Sequence, residues 1–342
     1  MSTSEALADH GLLALAARLT DRAGLGRVRS LARLEGGKNN QVFRVETDAG
    51  ELVVLKRYFR DPRDGRDRLT AEWNFLEHAW RLGARNIPQP LARDAGSRSA
   101  LYSFVAGRKL AAAELEPRHI DAAADFVAGI NAGEHAGFDA ASDACLCISD
   151  HLQLVERRLL RLASLDTDIP HAAEAQRFVF IDLRQAWDAV RDRTLRAALG
   201  SRLDLHRSLD DAECWLSPSD FGFHNALADD DGRLVFLDFE YAGRDDPAKL
   251  VTDFFCQPQV PIPSKFRERF LSRLSLDETA RARCDILLDA CRLKWACILL
   301  NEFLPVGAAR RAFAQAGEIE ARCAAQLHKA KAMLAEIRSQ ES

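Results

Sequence analysis

Long apolar runs are missing from this chain of 342 residues: no stretch approaches the roughly 18–20 uninterrupted apolar positions that a membrane-spanning helix needs. The first ten residues, Met1 to His10, have neither the basic segment nor the apolar segment of a secretory leader. A soluble cytoplasmic protein without a membrane partner is therefore expected. Charge of one sign is scarce as well, with 47 basic against 51 acidic side chains and a net charge of −4. That lacks the basic footprint of nucleic-acid binding, so no nucleic-acid partner is expected. Metal-ligand spacing is also absent from the eight cysteines. Cys145 and Cys147 form the one close pair, with no second pair at zinc spacing, while Cys284, Cys291 and Cys297 fall on one apolar helical stretch. Buried, reduced thiols and no structural metal are expected.

What is present is a globular composition, 47% apolar, at a length that allows about two domains. Residues 1–107 carry 17 basic and 13 acidic side chains, leaving 30 against 38 for the rest. Texture changes near the same place. From Ser30 to Val105 the chain reads as short alternating runs separated by turns. Gln41-Val-Phe-Arg-Val-Glu and Leu52-Val-Val-Leu-Lys-Arg-Tyr-Phe flank Asp48-Ala-Gly, a hairpin signal. A helix is predicted from about Arg68 to Leu82, with Leu69, Trp73, Leu76 and Trp80 near one face, and strands near 89–93 and 100–105. After Gly107 the spacing is helical over 111–131, 148–164, 174–199 and about 308–337, interrupted by one β-like piece at 226–239. Two lobes, 1–105 and 106–342, with different ligands are expected.

The most informative run is Leu216-Ser-Pro-Ser-Asp-Phe-Gly-Phe-His-Asn225, followed by Leu237-Asp-Phe-Glu. Asp220 and Asn225 lie close enough in sequence for one tight loop to present both. Asp238 ends a strand-like run that pairs with the residues after Asn225 across Asp229-Asp-Asp-Gly, a turn best read as solvated. An amide oxygen and a carboxylate placed on one hairpin are hard ligands suited to Mg²⁺. Asp220 is left beside them as a base.

This set resembles the kinase catalytic machinery, and specifically the aminoglycoside phosphotransferase and choline kinase group of small-molecule kinases. The continuation Asp238-Phe-Glu-Tyr-Ala-Gly-Arg-Asp-Asp-Pro is similar to that group's stretch after its metal aspartate, and no Ala-Pro-Glu follows as in protein kinases. The resemblance covers about residues 30–300 and implies an α+β, bilobal protein-kinase-like fold: a small antiparallel sheet lobe with one helix, then a larger helical lobe. It implies that Gly36, Gly37, Asn39 and Asn40 belong to a loop over the nucleotide. Lys56 would contact the α- and β-phosphates, Glu72 would hold Lys56, and Ser103, Phe104 and Val105 would form the adenine hinge. Asn225 and Asp238 would bind Mg²⁺, and Asp220 would be catalytic. ATP and Mg²⁺ are the implied cofactors.

Two positions depart from the family pattern. Pro218 stands where the family has histidine two residues before the catalytic aspartate, and Leu250 stands where an aspartate is common, with Asp253 three residues later. His224 lies inside the loop, either solvated or facing substrate. Lys294, beside Trp295 in an apolar helix, must snorkel, pair or face a cleft. The expected activity is transfer of the γ-phosphoryl group of ATP to a hydroxyl of a small molecule such as an amino sugar, aminoglycoside or sugar, by a monomer or homodimer. With three Tyr and five Trp in the chain no aromatic box for a quaternary ammonium is visible, which disfavours choline. The alternative is a catalytically silent nucleotide-binding scaffold, with Pro218 marking decay of the loop.

Overall fold

The computed structural model describes residues 3–34, 40–59, 66–134, 137–305 and 319–339, with side chains from residue 11 onward. Its contacts group the chain into two compact units, Met1–Glu134 with Pro218–Gly243, and His135–Ser217 with Arg244–Ser342. The first thus takes in the predicted catalytic hairpin as well as the strand-rich segment. This grouping by packing is a different kind of division from the change of texture near residue 105.

Within the first unit, strands β1 (Val28–Arg33), β2 (Asn40–Thr47), β3 (Leu52–Tyr58), β4 (Pro90–Asp94) and β5 (Ser99–Ser103) form an antiparallel sheet in the order β1-β2-β3-β5-β4. The Asp48-Ala-Gly hairpin forms as expected: Gly50 adopts φ +81° and its N–H donates to Thr47 O at 3.0 Å. Helix α1 (Thr3–Arg22), not anticipated from the sequence, presents Leu12, Leu15, Ala16 and Leu19 to Phe43, Val45, Val53 and Leu55 of the sheet. Their spacing of three and four is that of one helix face. Helix α2 (Arg68–Arg81) starts where Asp67 accepts the Thr70 N–H at 3.1 Å, an N-cap that satisfies an otherwise orphaned donor. It buries Leu69, Trp73 and Leu76, while Trp80 is half-buried.

Helix α3 (Pro117–Ile130) contributes Phe126 to a ring cluster in the same unit. Phe126 meets Phe236 at 5.0 Å, Phe221 at 5.7 Å and Phe239 at 6.0 Å between centroids, and Phe75 of α2 stacks on Phe239 at 4.5 Å. Phe221 and Phe239 directly follow Asp220 and Asp238. Apolar packing therefore anchors both segments that carry the polar residues.

The second unit is mainly helical. Its core joins Leu152 and Val155 of helix Ile148–Arg161, Trp187, Leu293 and Ala296 of helix Leu288–Leu299, and Leu327 and Leu334 of helix Ile319–Ser339. The stretch predicted as one helix over 174–199 is helical, with a π-helical turn at Phe178–Leu183. Of the C-terminal helix predicted from about 308, residues 306–318 lie outside the described residues. All eight cysteines are free and buried, and burial pushes the Cys284 and Cys297 thiols up to about 12, where they act as small apolar groups. No helix among the described residues is long and apolar enough to cross a membrane.

Candidate active site

The site is assembled within the first unit. Lys56 sits on β3 paired with Val42, its side chain buried, and its Nζ donates to Glu72 Oε2 and to Asp238 Oδ1, each at 2.6 Å. Burial alone would lower the Lys56 pKa, but Asp238 and Glu72 raise it well above the ordinary lysine value. For Glu72 burial is the largest influence and leaves its carboxyl raised despite Lys56. The Asp238 carboxyl is also pushed up by burial, but Lys56 outweighs this and holds it below the usual carboxylate range. A lysine between two carboxylates leaves one negative charge uncompensated in this triplet. Asp238 carries that charge outward, its side chain 43% exposed.

Asp238 itself adopts φ +67°, and so does Ser219 next to Asp220. Such left-handed conformations in non-glycine residues cost on the order of 1–3 kcal/mol and persist where surrounding packing imposes them. Both lie at residues expected to do chemistry or beside them.

Asn225 closes a 3-10 turn (Phe223–Asn225) and leads into strand Ala226–Ala228, which pairs with Leu234–Phe236 in the register Ala226↔Phe236. The Leu237 N–H donates to Asn225 O at 2.8 Å, so Asn225 and Asp238 emerge at the same end of the hairpin. The Asn225 Nδ2 donates to the Asp220 carbonyl at 2.9 Å and reaches Asp220 Oδ2 at 3.4 Å. With its nitrogen so committed, Asn225 has its amide oxygen left to offer. The far turn needs no metal: Asp229 Oδ1 accepts the N–H groups of Asp231 at 3.0 Å and Arg233 at 2.8 Å, and Gly232 takes φ +76°.

The residues expected to form the hinge lie where β5 ends. The Ser103 N–H donates to Gln89 O at 2.9 Å and the Phe104 N–H to Leu52 O at 3.3 Å. Among the described residues no backbone carbonyl receives the Val105 N–H. Asn40 opens β2, and its amide bonds Glu240. Gly36, Gly37 and Asn39 lie outside the described residues. Hydrogen bonds thus join Lys56, Glu72 and Asp238 in one group and Asp220 with Asn225 in a second, all on one unit, while Asn40 bonds Glu240 and Ser103, Phe104 and Val105 stand at the sheet's end.

Several residues that support this centre were not singled out. Tyr58 donates its hydroxyl to Glu72 Oε2 at 2.7 Å, and Arg68 pairs with buried Glu240 at 3.2 Å. The signals were periodic ones. Tyr58 is two residues from Lys56 on one strand face, and Arg68 is four before Glu72 on one helix face. His224 is neither solvated nor turned outward: its ring is buried and its Nε2 lies 3.1 Å from Asp220 Oδ1.

Lys294 takes the pairing role. It bonds Asp253, which also accepts Trp295 Nε1 at 2.8 Å and lies 3.6 Å from Lys249, all within the second unit. Asp253 thereby finds partners despite its displacement from the family position that Leu250 fills.

Comparison with known proteins agrees with this picture. The sequence model of APH, the phosphotransferase enzyme family, matches residues 30–287. No curated protein matches the sequence. Among solved structures, a spectinomycin phosphotransferase in complex with ADP and spectinomycin is similar at TM-score 0.64 and 11% identity, over 95% of this chain and 98% of that one. A choline kinase from Streptococcus pneumoniae gives TM-score 0.58 and 16% identity, over 96% and 99%. An amicoumacin kinase in complex with AMP-PNP and Ca²⁺ gives 0.55 and 14%, over 90% and 88%. At these identities the likeness is one of fold.

Proposed function

The chain belongs to the phosphotransferase enzyme family, and on that footing we propose that it moves the γ-phosphoryl group of ATP to a hydroxyl of a small molecule. The observation that carries this reading is the Lys56–Glu72–Asp238 triplet with Asp220 and Asn225 at the adjoining hairpin. In this reading Lys56, fixed by Glu72, holds the α- and β-phosphates, and the Val105 N–H meets adenine. Solved neighbours that hold ADP or AMP-PNP support ATP as the donor.

The donor set fits Mg²⁺: one partly exposed carboxylate on Asp238 and one amide oxygen on Asn225, with phosphates to complete the shell. When bound there, Mg²⁺ supplies charge neutralisation to the phosphates. Asp220 accepts the proton of the acceptor hydroxyl. The acceptor oxygen forms its bond to the γ-phosphorus as the bridging P–O bond breaks, and the electron pair leaves with ADP. Positioning and electrostatics do most of the work in such a transfer. Amino sugars, aminoglycosides and neutral sugars are the acceptor classes proposed, in a protein that is cytoplasmic and acts as a monomer or homodimer.

The test is ADP release with Mg-ATP across amino sugars, neutral hexoses and heptoses, amino alcohols and aminoglycosides, with Asp220→Asn alongside. One acceptor should give ADP release that the variant loses by about a thousandfold or more, while Mg-ATP still raises its melting temperature. EDTA should abolish release. Full turnover by Asp220→Asn would remove Asp220 from the mechanism, and no nucleotide stabilisation of the wild type would overturn the reading.

A further inference from the structure

The buried imidazole of His224 is the feature of this centre that the phosphotransfer reading leaves without a task. Its side chain is 4% exposed, and Nε2 meets Asp220 Oδ1 at 3.1 Å. Among the described residues its other nitrogen, Nδ1, is buried without a partner. Burying an imidazole and leaving one nitrogen unsatisfied opposes stability. A histidine kept for packing would bond through both nitrogens, or would be replaced by an apolar side chain of similar size. Among the described residues, the one polar contact that its ring makes is to the carboxylate proposed as the base.

The backbone around it is also held. Lys109 Nζ donates to the His224 carbonyl at 2.6 Å, and neighbouring Phe223 is fully buried. The imidazole therefore stands on a fixed support while Asp220 keeps a 36% exposed side chain. Asn225 bonds the Asp220 carbonyl and lies 3.4 Å from Oδ2, which leaves His224 to fix Oδ1. Pro218, two residues before Asp220, has no side-chain donor and gives the carboxylate no such support.

We propose that His224 is a positioning residue: it donates Nε2–H to Asp220 Oδ1 and so aims the other carboxylate oxygen at the acceptor hydroxyl. This rests on the reading of Asp220 as the base. It does not require His224 to change its charge or to touch substrate.

The test compares His224→Leu, His224→Gln and Asp220→Asn in the full chain. ADP release from Mg-ATP is followed with water as the acceptor, together with the melting temperature with and without Mg-ATP. The glutamine amide can place a donor where Nε2 stands, whereas leucine fills the space without one. His224→Leu should lower kcat about 10- to 100-fold, with the KM for Mg-ATP changed less than about twofold and the melting temperature of the free protein undiminished. His224→Gln should recover most of kcat.

Equal kcat loss in both variants, or joint loss of melting temperature and nucleotide binding in His224→Leu, would overturn the positioning role. So would wild-type kcat in His224→Leu beside an inactive Asp220→Asn, which would leave the phosphotransfer reading standing. An active Asp220→Asn would bring down that reading and this proposal with it.

Discussion

Each compact unit holds a cluster of charge among its described residues, and the two are built differently. In the first, Lys56 bridges Glu72 and Asp238, and the carboxylates of Asp238 and of Asp220 are 43% and 36% exposed. In the second, Asp253 gathers Lys294, Trp295, Cys291 and Lys249, Asp245 takes Lys249 at 2.6 Å, and Asp246 takes His151 at 2.9 Å and Arg283. Every side chain of that network is buried, save half-buried Trp295. Both clusters shift the titration of their members, so perturbed protonation alone does not distinguish a reaction centre from a scaffold. Spare ligand capacity at an exposed end does.

The largest expected effect is in the closed network. Asp253→Asn leaves the Lys294 ammonium buried without its carboxylate, which should cost about 3–5 kcal/mol in urea unfolding. A loss below about 1 kcal/mol would mean that the network is open to water after all. Gly107→Ala should follow, at about 2–3 kcal/mol. Gly107 takes φ +151°, and a Cβ there would stand 2.7 Å from the Ala228 carbonyl oxygen. Next to it, backbone hydrogen bonds between Arg108 and Ala228 at 2.9 and 2.8 Å tie the chain after Gly107 to the hairpin that carries Asn225, so an unchanged unfolding midpoint would show that ion pairs, and not backbone packing, frame the open centre.

Acid supplies a third comparison. Burial raises the Asp253 carboxyl, yet Lys294 and Lys249 outweigh this and hold it at about 2, below the ordinary 3.8. A depressed carboxyl stabilises the fold above its unfolded value and loses that contribution as pH falls through the folded one. About 2 kcal/mol should therefore disappear between pH 4 and pH 2. Chemical denaturation across that range should show the loss in the wild type and not in Asp253→Asn.

The smallest effect belongs to the open centre. Asp238→Asn should change folding stability by less than about 1 kcal/mol, because Asp238 is partly exposed and Lys56 keeps Glu72. The same variant should lose the rise in melting temperature that Mg-ATP gives. A stability cost as large as that of Asp253→Asn would erase the distinction between the clusters.

Much of the candidate site was legible because its residues fall in short, rigid pieces of sequence. The span 220–225 is one turn and 226–236 one hairpin, so the separations of Asp220, Asn225 and Asp238 are set by local geometry. Lys56 and Glu72 needed the resemblance, since 16 positions with a helix start between them do not fix a distance. Tyr58, Arg68 and Glu240 went unread because an isolated hydroxyl or charge has no spacing that marks it, although each sits in register with a residue that was read. Helix α1 was missed for a different reason: its apolar face, Leu12, Leu15, Ala16 and Leu19, lies outside the resembling region and has meaning through the sheet it covers.

By itself, then, the sequence determined the kind of elements and the local loop chemistry: periodicity, turn residues and the order of the polar motif act over a few residues at a time. Tertiary structure decided the partners. Whether His224 points to solvent or to Asp220, whether Lys294 pairs or faces a cleft, and which carboxylate keeps a free oxygen depend on atoms dozens to hundreds of positions away, or on the rotamer that packing selects. Close contact in space fixes the fate of a charge, because its energy depends on distance and burial and not on separation along the chain.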